Sequence, residues 1–142
     1  MKIVLASDHG GFTLKEEVRE YLEQQGLAFD DIGTDSQESV DYPVYGRKAA
    51  EAVARGDYDR GIIFCGTGIG ISIAANRVKG ARCALVTSVH MAKMARMHND
   101  ANMIALGGRI LDKETALAIV DAFLNTEFEG GRHQRRIDML NS

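Results

Sequence analysis

Gly61–Cys65 (GIIFC), then Gly66-Thr67-Gly68-Ile69-Gly70, then ISIAANRV from Ile71 to Val78, read as strand, glycine turn and helix without a break. A short apolar run bounded by turn residues is the mark of a strand buried on both faces of a parallel sheet. Working outward, the same alternation recurs. Upstream, Lys2–Ser7 (KIVLAS) is an apolar run closed by Asp8-His9-Gly10-Gly11. Leu14, Val18, Tyr21 and Leu22 follow at helical spacing, with Glu16, Glu17, Arg19 and Glu20 on the other side and Gly26 as the stop. Leu27–Ile32 is a weaker strand, and a helix is expected from just after Pro43 through Ala49–Ala54. Downstream, Arg82–Thr87 reads as a strand, Val89–Met97 as a Met- and Ala-rich helix and Asn102–Leu106 as a short strand before Gly107-Gly108. Thr115–Leu124 is the last long helix, and the Arg-containing tail from about residue 127 has a potentially helical end.

Five strands alternating with five helices predict an α/β fold: a three-layer αβα sandwich on a five-stranded, mostly parallel, doubly wound sheet. At 142 residues, without repeat or linker, one domain spanning 1–142 is expected. The 45% apolar and 26% charged fractions suit a globular chain and exclude disorder, collagen and disulfide-dense scaffolds. A net charge of −3 gives no global attraction to nucleic acid, so an anionic ligand needs a local basic patch. No apolar run approaches the length of a membrane span, and the N-terminus lacks a secretory pattern. Cys65 and Cys83 have no metal-ligand spacing, which favours free thiols in a reducing cytoplasm.

In such sheets ligands sit outside the carboxyl ends of the strands. There the sequence places Asp8 and His9, Cys65 to Gly70, and Gly107 to Arg109. The glycine loop suits an anion, because glycines allow close backbone approach and the following helix offers unpaired N–H groups. Familiar loops are excluded at one position. Ile71 follows Gly70 where a P-loop needs lysine, where the dinucleotide fingerprint needs glycine or alanine, and where a cysteine phosphatase needs arginine. Position leaves Cys65 with two readings: a thiol activated by the helix N-terminus, or a small buried hydrophobe. Cys83 reads as packing. Asp8-His9 is also compatible with a plain Asx turn, and His98-Asn99-Asp100 with a helix C-cap. Arg132 and Arg136 share a helix face and suit a phosphate dianion, although solvated surface arginines, Arg135 among them, are the default. Met91, Met94 and Met97 read as core or subunit interface.

Taken in order, Asp8-His9-Gly-Gly, Asp41-Tyr42-Pro43, Cys65-Gly-Thr-Gly-Ile-Gly-Ile-Ser, His98-Asn99-Asp100 and Glu129-Gly-Gly-Arg-His resemble ribose-5-phosphate isomerase type B. That family also holds the galactose-6-phosphate isomerase subunits. The resemblance runs from residue 1 to about 140. It implies an enzyme of the pentose phosphate pathway that interconverts ribose 5-phosphate and ribulose 5-phosphate through a cis-enediolate, with no metal or cofactor. It implies Cys65 as the base between C1 and C2, with Thr67 and the amides of Gly66, Gly68, Ile69 and Gly70 stabilising the enediolate oxygen. His98 would open the furanose ring, Asp8 would handle hydroxyl protons and Asn99 would bind sugar oxygens. His9, Arg132 and Arg136 match a phosphate clamp, Tyr42 lines the pocket, and Arg109 and His133 are weaker matches. One branch of the family carries a glutamate base where this chain has Ile71, so the cysteine branch is the consistent assignment.

The resemblance also implies a homodimer, or a dimer of dimers, with each site shared: Cys65 and Thr67 from one subunit, His98 and Asn99 from its partner. Two other readings remain at this stage. One is an isomerase of allose or galactose 6-phosphate, with pocket length set near Thr34–Val40 and Tyr42. The other is a non-catalytic sugar-phosphate-binding module. The isomerase reading requires the Cys65 sulfur to face a ligand rather than the aliphatic core.

Overall fold

The computed structural model describes residues 1–142. The elements in order are β1 (Lys2–Ser7), a 3-10 turn (His9–Gly11), α1 (Phe12–Gln24), β2 (Ala28–Asp31), α2 (Tyr42–Ala54) and β3 (Arg60–Cys65). They continue with α3 (Ile69–Asn76), β4 (Cys83–Leu85), α4 (Val89–Asn99), β5 (Met103–Gly107), α5 (Lys113–Asn125) and α6 (Arg132–Leu140). The sheet order is β2-β1-β3-β5-β4. Every pairing is parallel, so the expected "mostly parallel" sheet is wholly so.

Two apolar layers sandwich the sheet. Ile3, Leu5, Ile62 and Phe64 pack against Leu14, Val18 and Leu22 of α1, Ala92 and Ala95 of α4, and Ile119, Val120 and Phe123 of α5. Val4, Ala6, Ile63 and Cys65 pack against Ala49, Ala50 and Val53 of α2 and Ile71 and Ala75 of α3. Strand residues alternate between faces because successive side chains point to opposite sides of a pleated strand. No helix is long and apolar enough to cross a membrane.

Most element boundaries differ from the sequence reading by one or two residues, and two of the differences have a local cause. β4 is only three residues long. It lies at the sheet edge, and Ser88 is drawn off to cap α4, its hydroxyl accepting from the Met91 amide at 3.1 Å. α3 starts at Ile69, not Ile71, because the turn closes at Gly68. It stops at Asn76, whose side chain bonds both the N–H and the C=O of Cys83 at 2.8 Å, tying the helix end to β4. The α4 methionines are not core: Met91 is exposed, and Met94 and Met97 are half-buried.

Strand order reverses between β1 and β3, the crevice where doubly wound sheets hold ligands. The loops after β1, β3 and β5 therefore meet at the carboxyl edge. The helices run back beside the strands, so the end of α4 and the start of α6 fall at the amino edge.

Candidate active site

The floor of the carboxyl edge is built backbone against backbone. The Gly108 amide donates to the Cys65 carbonyl at 2.8 Å, and the Arg109 amide to the Gly66 carbonyl at 2.9 Å. The Asp8 amide donates to the Phe64 carbonyl at 3.2 Å. A methyl group on Gly66 would stand 3.0 Å from Nη1 of Arg109, so that guanidinium lies across the loop. One on Gly70 would meet the Tyr42 ring at 2.7 Å. Tyr42 thus covers the end of the loop, as the first residue of α2.

Cys65 is the last residue of β3 and is 5% exposed. Its side chain backs onto the α2–α3 layer, among Ile63, Ile71 and Ala105. The sulfur itself is turned to the glycine loop, where Sγ accepts the Gly68 N–H at 3.1 Å. Gly68 is the N-cap of α3 with φ +81°, a conformation for which only glycine is unstrained. The loop shape that brings this amide to the sulfur is therefore written into the glycine. The start of a helix carries partial positive charge, and it faces this sulfur. Beside it, Thr67 is exposed, and its Oγ1 accepts the Ile69 amide at 3.2 Å.

Asp8 and His9 flank this loop. The Asp8 carboxylate caps the 3-10 turn by accepting the Gly11 amide at 3.1 Å, so the Asx-type role is real. His9 Nδ1 accepts the Val40 amide at 3.1 Å. A neutral ring held in this way keeps its proton on Nε2. The loop bearing Val40 is fastened to α1 by Gln37, whose amide donates to Thr13 at 3.2 Å.

A second group forms at the amino edge. His98 and Asn99 are the last residues of α4, and Asp100 ends the helix in a left-handed conformation with φ 43°. The His98 ring stacks on that of His133, with centroids 4.4 Å apart and planes 17° from parallel. His133 is 5% exposed. Burial first, then the neighbouring His98 and Arg132, push its pKa below the ordinary value. Glu129 lies beside it, Oε1 being 3.7 Å from His133 Nε2. Arg132 and Arg136 are exposed on α6, as is Arg135. Asn99 lines a cleft of about 380 Å³ with Arg82, Cys83 and Ala101.

One chain therefore gathers Asp8, His9, Tyr42, Cys65 to Gly70 and Arg109 at one edge. It gathers His98, Asn99, Arg132, His133 and Arg136 at the other. The length of β5, five residues or about 15 Å, separates the groups. His9 stands apart from the two arginines with which the resemblance grouped it. Four clefts of a single chain, 350–510 Å³, are lined by other residues than Cys65. Cys83 is simple packing: it lies in the core, and burial pushes its thiol pKa well up.

Sequence reasoning missed several partners. The Glu129–His133 approach has no sequence signal beyond their four-residue spacing. The Val40 contact to His9 is made by backbone and is silent in the sequence. Lys15 is fully buried, paired with Asp31 and Glu16, and hides within the charged stripe of α1. Arg96 is buried too, holding Asp100 and the carbonyls of Ala101 and Thr126.

Comparison with known proteins gives a consistent answer. A family model described as Ribose/Galactose Isomerase matches residues 3–140. Ribose-5-phosphate isomerase B of Escherichia coli is 45% identical over 141 residues, covering 99% of this chain and 95% of that protein. The solved ribose-5-phosphate isomerase B of Clostridium thermocellum is 53% identical with a TM-score of 0.98, covering 99% of this chain and 95% of its own. The Mycoplasma genitalium enzyme, solved with ribulose 5-phosphate bound, is 43% identical with a TM-score of 0.94, covering 99% and 93%.

Proposed function

The chain belongs to the ribose/galactose isomerase family, and from that premise we propose that it interconverts ribose 5-phosphate and ribulose 5-phosphate. The reaction runs through a cis-enediolate with Cys65 as base, needs neither metal nor cofactor, and serves the pentose phosphate pathway in the cytoplasm. The observation that carries the reading is the Cys65 sulfur at the carboxyl end of β3, 3.1 Å from the Gly68 amide at the start of α3. Ile71, the alternative base position, is an isoleucine buried completely in the core.

His98 first moves a proton at the ring oxygen, which opens the furanose to the aldehyde. The Cys65 thiolate takes the proton from C2. The electron pair left at C2 forms the C1–C2 double bond, and the carbonyl pair moves onto the oxygen at C1. Thr67 and the loop amides stabilise that oxygen, a donor of this kind contributing about 3 kcal/mol in comparable sites. Cys65 returns the proton at C1 while Asp8 takes the C2 hydroxyl proton and delivers it to the C1 oxygen, so that the C2 oxygen becomes the ketone and both groups are restored. No atom or electron is gained or lost. The phosphate is inert, and its binding to His9, Arg132 and Arg136 orients C1 and C2 beside the sulfur.

The two separated residue groups support a site shared between two copies, one giving its carboxyl edge and the other its His98 edge. Exposed Val44, Ile69, Ile73 and Ile110 near the carboxyl edge are the kind of apolar surface that a second copy covers. The partner is thus another copy of the chain and the ligand a sugar phosphate, not nucleic acid or membrane.

The deciding experiment offers ribose 5-phosphate, ribulose 5-phosphate and hexose 6-phosphates to the protein with a chelator present. It follows solvent deuterium entering the sugar by NMR. Cys65→Ala should abolish exchange and leave phosphate-ligand binding nearly intact. Undiminished exchange in that variant refutes the thiol base. Activity confined to hexose phosphates moves the reading to the sister isomerases, and binding without turnover of any sugar moves it to a binding module.

A further inference from the structure

We propose that His98, Glu129 and His133 together form a site for a divalent transition metal of the zinc class, and that filling it withdraws His98 from catalysis. The binding stands on geometry alone; its effect on catalysis rests on the isomerase reading.

Each of these residues offers a ligand atom, and all three atoms lie within 4.8 Å of one another. Two imidazoles and one carboxylate are a set that holds zinc with its fourth position open. His133 supplies the telling observation. Its Nε2 is buried without a hydrogen-bond partner, and Glu129 Oε1, at 3.7 Å, is beyond bonding distance. A buried ring nitrogen left unpaired beside a carboxylate and a second imidazole is a ligand atom without its ion.

Closing the site needs a modest rearrangement. Zinc–nitrogen bonds of about 2.0–2.1 Å in a tetrahedron put ligand atoms about 3.3 Å apart. The rings now stack 17° from parallel, so their lone pairs do not yet converge. His133 is fixed by burial. His98 is half-buried and Glu129 exposed, so these two side chains make the movement. Arg132 and Arg136 oppose a bare cation, and they favour one whose open position holds an anion. The movement and this repulsion together predict micromolar affinity. A metal here occupies a lone pair of His98, the group assigned to opening the sugar ring.

The test titrates chelator-treated full-length protein with Co²⁺ by absorption and Zn²⁺ by calorimetry. One equivalent per chain with micromolar affinity is expected, with visible d–d bands and no thiolate-to-cobalt band. Glu129→Gln, a change at an exposed side chain, should weaken binding more than about tenfold. His133→Asn, checked for folding by circular dichroism, should do the same. No binding, binding unchanged in Glu129→Gln, or a thiolate band reporting Cys65 as the ligand each overturns the site. At the same Zn²⁺ concentrations the isomerase rate should fall in the native chain, return with chelator and persist in Glu129→Gln. Binding without loss of rate overturns the inhibitory role. A native chain inactive even with chelator sinks the isomerase reading and leaves the cobalt titration intact.

Discussion

Two dead variants mixed together should regenerate a live enzyme, to a level fixed in advance. β5 separates the His98 edge from the Cys65 edge by about 15 Å, too far for one chain's imidazole to serve its own thiol. Cys65→Ala removes the proposed base, and His98→Ala the proposed ring-opening group. In a two-fold dimer each site takes Cys65 from one chain and His98 from the other. A mixed dimer then has one site carrying both defects and one carrying neither. Random re-pairing of equal amounts makes half the dimers mixed, so about one quarter of all sites are intact. The assay follows ribulose 5-phosphate formation after dissociation and reassociation, with exchange verified by native mass spectrometry of a tagged chain. Recovery near one quarter of the native rate is expected. No recovery after verified exchange refutes the shared site. A near-native rate from the His98→Ala protein alone refutes the role given to that histidine.

Gly68→Ala should be costly twice over. A left-handed alanine costs about 1–2 kcal/mol, and its methyl would press to 3.0 Å from the Leu106 carbonyl carbon and 3.1 Å from the Gly107 nitrogen. A total near 3 kcal/mol lowers Tm by about 10 °C in a chain of this size, and kcat falls because the amide leaves the sulfur; a melt within about 2 °C of native would contradict this. Arg96→Ala strips the carbonyls of Ala101 and Thr126 and leaves Asp100 without its closest cation. Urea unfolding should report a loss of about 3–5 kcal/mol. His133 has a folded-state pKa below its ordinary 6.5, chiefly through burial. The unfolded chain thus binds the extra proton first, and this contribution to stability is full above pH 6.5 and is lost as pH falls through the folded value. His133→Gln should flatten the dependence of urea midpoints on pH over the acid range, and an unchanged slope would contradict the burial.

The strands that mattered were legible because parallel strands buried on both faces read as unbroken apolar runs. Lys2–Ser7 and Gly61–Cys65 announce themselves, and Cys65 falls at a strand end by counting alone. The stretch Arg82–Thr87 reads longer than β4, because nothing local marks where pairing yields to the Ser88 cap. The order β2-β1-β3-β5-β4 was not legible, since inserting β5 between β3 and β4 is a choice of crossover rather than of pattern. The methionines of α4 repeat at core spacing, yet Ala92 and Ala95 are the α4 residues that enter the core. At the carboxyl edge, the position of Asp8 and of Cys65 to Gly70 at strand ends was legible, and their contacts were not. The Gly68 amide on sulfur needs a turn with positive φ, and the stacking of His98 on His133 needs α4 and α6 to meet. Periodicity within either helix records no such meeting.

The approach of Gly108 to Gly10, where an added methyl would stand 2.6 Å from the Gly10 carbonyl oxygen, bears on how such a protein can diversify. Where main chain abuts main chain, no side chain is available to be exchanged for another. On the proposed function, adaptation to longer or shorter sugars is thereby steered away from the glycine loop, into the residue 34–40 segment, Tyr42 and whatever a second copy contributes. The proton-transfer apparatus can be inherited unchanged while its clientele drifts.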